Sequence, residues 1–393
     1  MSGPPTPPRL LIPVLSGVNF VIGMGAFLVV GTIEPMASDL DVTAGQTGAL
    51  MTTYALVYAV CSPLLVSLTG GIGRRRVLAA GLTIFGLAAL ASALAPTLGS
   101  LHAARAMAAV GAGVVTPVSA AVAAMLVPPE RRARTLAQVF LGLTIAQAVG
   151  IPIGGWLAYT VGWRYAFTLV ALIAIPALVL LWRIVPAGLS FRPVALSDLG
   201  RTLSDLPVMS AVLFTMSFMA GIFALYTYFA PLLTAQMGFG RDGVSLLLLI
   251  FGLGAIAGNR MGGVLADRFG PSRTLMALTV VQIVFLSMYS ALPFPVWVLG
   301  AVTFIWSVFG WSFGAAQQVR LITLDPARAP VLLSLNAACI FGGAALGSAI
   351  GGVVITGIGI GALGWVAALC MAGALLHLVL SDRATAGRVA RTP

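Results

Sequence analysis

The sequence predicts an all-α membrane protein with twelve transmembrane helices in two pseudo-symmetric six-helix bundles. Of the 393 residues, 60% are hydrophobic and only 8% are charged, and the mean hydropathy is +1.06. A soluble globular chain is roughly half apolar and about a quarter charged. The chain also matches itself at a fixed offset, because Gly150 recurs as Gly347 and Gly154 recurs as Gly351. Two copies of one membrane unit account for both observations.

Hydropathy predicts twelve spans, six in each copy of the repeat. A spanning helix needs roughly 20 apolar residues. The segments that qualify are 11–34, 46–69, 77–95, 99–127, 136–159, 165–185, 207–236, 243–265, 274–292, 296–321, 331–356 and 361–381. Because six is an even number, the second copy re-enters the membrane in the orientation of the first, as a parallel repeat requires. We therefore expect an N-terminal bundle at 1–186, a linker at 187–206 and a C-terminal bundle at 207–393.

The distribution of arginine predicts the orientation in the membrane. The net charge is +11 and every one of the 21 basic residues is arginine. With the N-terminus in the cytoplasm, only Arg105, Arg164 and Arg241 fall toward the outside, whereas most of the others lie in cytoplasmic segments: Arg9, Arg74, Arg75, Arg76, Arg131, Arg132, Arg134, Arg183, Arg192, Arg201, Arg268, Arg273, Arg328, Arg383, Arg388 and Arg391. This is the positive-inside pattern. It predicts two cytoplasmic termini in the cell (inner) membrane and explains the charge without a nucleic-acid partner.

Two of the predicted cytoplasmic segments are the head of the chain and the linker between the two halves. The head of the chain, before Leu11, is too short for a cleaved signal peptide. In the linker, Val194, Leu196, Leu199 and Leu203 are spaced either for an amphipathic helix on the membrane surface or for an ordinary tether.

The turn after the eighth predicted span carries the most specific motif. It contains Gly263, Asp267, Arg268, Gly270 and Arg273, and it resembles the signature loop of the major facilitator superfamily. The resemblance implies a charged latch between helices that breaks when the cytoplasmic side opens. The counterpart in the first half keeps Arg74 and Arg76 but has Gly70 and Gly71 where the superfamily has its Asp and Arg. We therefore expect an asymmetric latch.

Span 5 carries a second motif, formed by Gly150, Pro152, Gly154 and Gly155. It is similar to the antiporter motif of the drug and arabinose efflux branch of that superfamily. Small residues allow close helix approach, and we expect them to press span 5 against a partner from the other half. Ordinary helix packing is the alternative. Gln317, Arg320, Asn336 and Gly347 further resemble the arabinose and purine-nucleoside efflux group.

Two charged residues are candidates for proton coupling. Arg105 matches the arginine of the superfamily's motif in span 4, and an ionised group within a span usually faces a cavity or a partner. Glu34, at the outer end of span 1, is the only acidic residue that hydropathy places near the membrane interior, so it is the natural counter-charge. A snorkelling Arg105 and a rim position for Glu34 are the alternatives.

The resemblance also implies a central pathway lined by spans 1, 4, 7 and 10. The expected lining is aromatic with a few neutral polar groups, which suits an amphiphilic or aromatic solute. The candidate residues are Asn19, Gln147, Phe218, Tyr226, Phe304, Trp311, Gln318 and Asn336.

These features together predict a secondary transporter that exports small organic molecules by proton antiport, as a monomer and without a cofactor or metal. No P-loop occurs, and neither His102 nor His377 belongs to an H-E-x-x-H pattern, which disfavours an intramembrane enzyme. The alternatives are a facilitator or importer of a sugar or nucleoside, and a non-transporting membrane sensor.

Overall fold

A computed structural model describes residues 9–127, 129–189 and 196–389. Within these ranges all regular structure is helical, and twelve helices are long and apolar enough to cross a membrane. The predicted fold class is confirmed. Arg192, Val194 and Arg391 lie outside the described residues.

The first six spans are numbered in chain order. Spans 1 to 4 are Leu11–Leu40, Ala44–Leu68, Arg74–Ala93 and Leu98–Met125, and span 6 is Trp163–Ile184. Span 5 consists of an α-helix, Pro129–Ile145, one π-helical turn, Ala146–Gly150, and a second α-helix, Ile151–Thr160. Such π-turns are frequently found at functional sites.

A short helix, Leu196–Leu203, precedes the second half. Span 7 is broken into Leu206–Tyr226 and Phe229–Met237, and span 10 into Val296–Trp311 and Phe313–Leu324. The other four spans are single α-helices: span 8, Arg241–Phe269; span 9, Pro271–Met288; span 11, Ala329–Gly357; and span 12, Leu363–Val389.

Because successive spans run in opposite directions, the bundle has two distinct ends. We call the end that contains Leu11 and Thr385 the terminal end. The opposite end, which contains the turns near Asp41 and Gly238, is the far end.

The repeated glycines make equivalent helix-packing contacts in both halves. Gly150 lies against Met24, and Gly154 lies against Leu28, both in span 1. Their counterparts Gly347 and Gly351 lie in the same way against Ala220, Ala224 and Tyr228 of span 7. Span 5 therefore packs on span 1 as span 11 packs on span 7, which is the pseudo-symmetry that the offset predicts.

This packing corrects one expectation. The glycines of the span 5 motif contact span 1 of their own half, not a partner from the other half. The close inter-half contact of span 5 is made by Ala148, within the π-turn, whose backbone lies directly against Gly252 of span 8.

A second seam joins the two halves along spans 2 and 11. Tyr58 stacks on Phe341 with ring centroids 3.6 Å apart. Nearer the far end, Gly45 lies against Gly352, and the ring of Tyr228 fills the space beside Gly48.

The central helices show that the molecule is closed at the far end. Every residue from Val21 to Ile33 in span 1 is buried, and so is every residue from Phe218 to Leu233 in span 7. Toward the terminal end the same helices become partly exposed, at Gly17 and Leu213 for example. The halves thus meet at the far end and separate toward the terminal end.

Candidate functional site

Arg105 is the charged group at the centre of the first half. Its side chain is 1% exposed, and its two terminal nitrogens donate to the carbonyl oxygens of Gly25 (2.7 Å) and Ala26 (2.8 Å) at the midpoint of span 1. The guanidinium also lies over the ring of Tyr54, 4.5 Å from its centroid. A snorkelling position is therefore wrong, because the side chain points inward. Its Nε is buried without a partner in the part of the chain that the structure describes.

Glu34 does not pair with Arg105 in this conformation. It is half-buried and lies eight residues from Ala26 along span 1, or about 12 Å toward the far end. No hydrogen bond or ion pair reaches its carboxyl within residues 9–127, 129–189 and 196–389. The hydroxyl of Tyr159 in span 5 is close enough to interact with it electrostatically.

An aromatic cluster occupies the middle of the second half and faces span 1. Tyr226 stacks on Phe251 with centroids 4.4 Å apart, and Trp306 packs on both rings. Phe223 reaches across to Phe27 of span 1, at 6.2 Å. A small gap remains beside this cluster, lined by Met219, Ile222, Phe223, Phe251, Trp306, Ser307, Gly310 and Trp311.

The predicted cavity residues separate into three groups. Tyr226 belongs to the cluster and Trp311 lines its gap, whereas Phe218 stacks on Phe313 at 4.2 Å inside the second half. Phe304 does not face the gap. It is 41% exposed at a depth where the halves are closed, so its ring faces the membrane, and its backbone carbonyl lies against Gly254 of span 8.

The neutral polar candidates also differ in their surroundings. Asn19 and Gln147 are buried, and each has a carbonyl oxygen without a partner among the described residues. Asn336 accepts a 2.5 Å hydrogen bond from Thr215, so it is engaged within the second half. Gln318 is exposed near the terminal end. Asn19 and Gln147 thus each keep an unused hydrogen-bond acceptor among the described residues.

The loop between spans 8 and 9 is not latched in this conformation. Asp267 is exposed and has no ion pair or hydrogen bond in the described ranges of the chain. Gly263, Arg268 and Arg273 are also not tightly packed, and Gly270 ends span 8 at φ +82°, a conformation that favours glycine.

The first-half loop is held differently. Arg74 is buried and donates to the carbonyl oxygen of Gly70 at 2.7 Å. Its backbone N–H donates to Leu189, after span 6. Arg75 lies over the ring of Trp182 and Arg76 is exposed. The two loops differ in structure as well as in sequence.

Sequence reasoning missed three ion pairs at the terminal end, made by two arginines. Arg320 of span 10, 6% exposed, pairs with Asp382 of span 12 at 2.7 Å. Arg328 bridges Asp205, at the start of span 7, and Asp325. The hydrogen bond that Arg328 donates to Asp205 is the largest cause that raises the pKa of Arg328. Arg320 and Asp382 are 62 positions apart and Arg328 and Asp205 are 123 apart, so these two pairs have no local sequence signal.

Comparison with known proteins covers most of the chain. Residues 15–329 match the model of the Major Facilitator Superfamily. The chain is 30% identical over 366 residues to the inner membrane transport protein YdhP of Escherichia coli K12, covering 93% of this chain and 94% of that protein. It is 31% identical over 369 residues to a chloramphenicol resistance protein of Streptomyces lividans, covering 90% and 92%.

Solved structures of low sequence identity share the fold. The nucleoside transporter NupG superposes with a TM-score of 0.76 at 13% identity, over 95% of this chain and 99% of that one. The D-xylose-proton symporter superposes with a TM-score of 0.73 at 16% identity, over 93% and 96%.

The fold and the matches define a multi-pass membrane transport protein. The chain belongs to the Major Facilitator Superfamily, whose members are transporters and not enzymes.

Proposed function

We propose that the protein exports a small aromatic organic molecule in exchange for protons, by alternating access of its two halves. The observation that carries this proposal is the midplane layer in which the Tyr226–Phe251–Trp306 cluster faces span 1, with Arg105 as the charged group of the facing half. Support also comes from the span 5 motif, which is similar to that of drug antiporters, and from the relative named for chloramphenicol resistance.

The lining together with the charge of Arg105 favours a neutral aromatic solute over a cationic one. Aromatic rings and the unpartnered carbonyl oxygens of Asn19 and Gln147 offer stacking and hydrogen-bond acceptance. Among the described residues, Arg105 contacts backbone carbonyls and aromatic rings but no carboxylate, so its positive charge disfavours a second cation nearby.

Proton coupling is assigned to Glu34 with Arg105. Glu34 lies on the far-end rim, where opening of the far end would change its hydration. A change in hydration alters the proton affinity of a carboxyl, so the two states of the transporter would hold the proton differently. Arg105 fixes span 1, which carries Glu34, to span 4.

The remaining assignments follow from the arginine pattern. We place the protein in the inner membrane, with the terminal end, both termini and the 187–206 linker on the cytoplasmic side. We expect a monomer. Reporter fusions at Gly200 and Pro393 test the orientation, and activity of a periplasm-dependent reporter at either point would overturn it.

Accumulation assays test the function. Cells with and without the protein are loaded with chloramphenicol, a neutral aromatic probe, and with ethidium, a cationic one, in the presence and absence of an uncoupler. We expect lower chloramphenicol accumulation in cells that contain the protein, a loss of that difference with the uncoupler, and little effect on ethidium. Equal or higher accumulation of chloramphenicol in those cells would contradict export.

The alternative is a facilitator or importer of a sugar or nucleoside. Structural likeness to the nucleoside and xylose transporters reflects the shared fold. Polyhydroxylated solutes need many hydrogen-bonding side chains, and the aromatic gap has Ser307 as its one polar side chain other than the indoles of Trp306 and Trp311. Uncoupler-insensitive uptake of radiolabelled uridine or xylose would favour this alternative.

A further inference from the structure

A lateral groove lies between the two halves in the far-end part of the molecule. It has a volume of about 380 Å³ and is lined by residues of span 5 and span 8. Its lining is almost entirely apolar: Val149, Pro152, Ile153, Trp156, Ser245, Leu246 and Leu249. We call it the span 5/8 groove.

The groove opens toward the membrane and not toward the central pathway. The inward face of span 5 is occupied by Gly150 and Gly154, which pack on span 1, and that of span 8 by Phe251 and Gly254, which pack on span 10. The groove residues Ile153 and Leu246 are each 48% exposed, so the open side of the groove is on the outer surface of the molecule. In a bilayer, an open apolar groove on this face is filled by lipid.

Polar groups mark the far-end mouth of the groove. Arg241 begins span 8 and pairs with Asp242 at 2.6 Å, with both side chains exposed. The guanidinium lies 5.7 Å from the ring centroid of Trp156, which lines the groove. Tryptophan is typical of the membrane–water interface. The hydroxyl of Ser245, one turn deeper, is buried without a partner among the described residues.

We propose that the span 5/8 groove binds one phospholipid of the far leaflet, with phosphatidylethanolamine as the headgroup class. An acyl chain fills the apolar groove, Arg241 binds the phosphate, and Asp242 binds the headgroup amine. A cation and an anion side by side complement this zwitterion. The lipid contacts both halves beside the Ala148–Gly252 contact, so it stabilises the conformation that is closed at the far end.

Lipid binding to the purified full-length protein tests this site. Bound phospholipid is counted by native mass spectrometry while phosphatidylethanolamine, phosphatidylcholine or phosphatidylglycerol is titrated back after delipidation. Leu246→Trp fills the groove, and Leu253→Trp, at a 50% exposed site on the same span outside the groove, is the matched control. Arg241→Gln tests the headgroup contact.

We expect one tightly retained phosphatidylethanolamine in the wild-type protein and in Leu253→Trp, and at least ten-fold weaker binding in Leu246→Trp. Arg241→Gln should weaken binding several-fold and remove the preference among the three headgroups. Equal retention in Leu246→Trp and the wild type, or equal loss in both tryptophan variants, would overturn the site. So would a dimer mass in place of bound lipid, or displacement of the lipid by the transported probe.

Discussion

The guanidinium of Arg105 donates a 2.7 Å hydrogen bond to the carbonyl oxygen of Gly25, which joins span 4 to span 1 at mid-depth. The acceptor is a backbone group, so the hydrogen bond fixes the backbone of span 1 to span 4 and does not depend on a side chain of span 1. With the parallel bond to Ala26, the planar guanidinium holds span 1 in one rotation about its axis. If span 1 moves relative to span 4, these hydrogen bonds must either break or be kept by a matching movement of the Arg105 side chain.

Arg105→Lys should fold but lose transport. Lysine is a point charge that cannot donate to two carbonyls in a fixed fork and stack on Tyr54 at once. We expect at least a ten-fold lower transport rate in reconstituted vesicles, with the amount of folded protein nearly unchanged. Arg164→Lys is the matched control, because Arg164 forms an exposed ion pair with Asp39 that lysine can keep. Equal loss in both variants would contradict a special role for Arg105.

Added bulk at the inter-half seam should open the far end. Alanine at Gly252 would press its methyl into the backbone of Ala148, and alanine at Gly48 would press it into the ring of Tyr228. Both substitutions should shift the population away from the far-closed state. Gly373→Ala is the control, since nothing lies near its Cβ position.

Distances between spin labels at Ser38 and Ala235, two exposed far-end positions on spans 1 and 7, report this shift. We expect a longer mean distance in Gly252→Ala and Gly48→Ala than in Gly373→Ala. Identical distance distributions in all three variants would show that the seam does not set the conformational equilibrium.

Asp382→Asn should destabilise the terminal end. It leaves the buried guanidinium of Arg320 without its anionic partner, and breaking a buried ion pair costs about 3 to 5 kcal/mol. Thermal unfolding should therefore begin several degrees lower. Asp242→Asn, which removes an exposed pair, should change the unfolding temperature little. A wild-type unfolding temperature for Asp382→Asn would disprove the structural role of this pair.

Asp267→Asn should favour the conformation observed here. In this state Asp267 is exposed and unlatched, so its charge can act only when the terminal end closes. Its removal should raise the reactivity of a cysteine placed at Gln318 toward a thiol reagent added from the terminal side. Gly70→Ala should have a smaller effect, and equal effects would contradict an asymmetric latch.

The number of spans and the repeat could be predicted because their signals lie in composition and spacing. Hydropathy locates a span without knowledge of its neighbours, and the recurrence of Gly150 as Gly347 can be read directly from the sequence. The residue against which each glycine packs cannot be read from the sequence. The sequence could not show that Gly150 faces span 1, because small residues suit any close helix contact.

The surroundings of Arg105 could not be predicted for a related reason. Its acceptors are backbone carbonyls, which every residue possesses, so the sequence suggested the nearest carboxylate, Glu34, instead. The lipid-facing ring of Phe304 has a similar explanation. Spacing of seven places it on the face of Trp311, but the sequence does not show how far a neighbouring helix covers each residue of that face, and Phe304 is 41% exposed.

Proton-coupled export is tested most directly in vesicles with an imposed pH gradient, using a compound that the wild-type protein exports in the accumulation assay. The wild type should concentrate the compound against its gradient. Glu34→Gln should lose this uphill transport while it retains downhill exchange of the same compound, because the carboxyl is needed for coupling and not for the path. Undiminished pH-driven accumulation by Glu34→Gln would contradict the assignment of the proton site to Glu34.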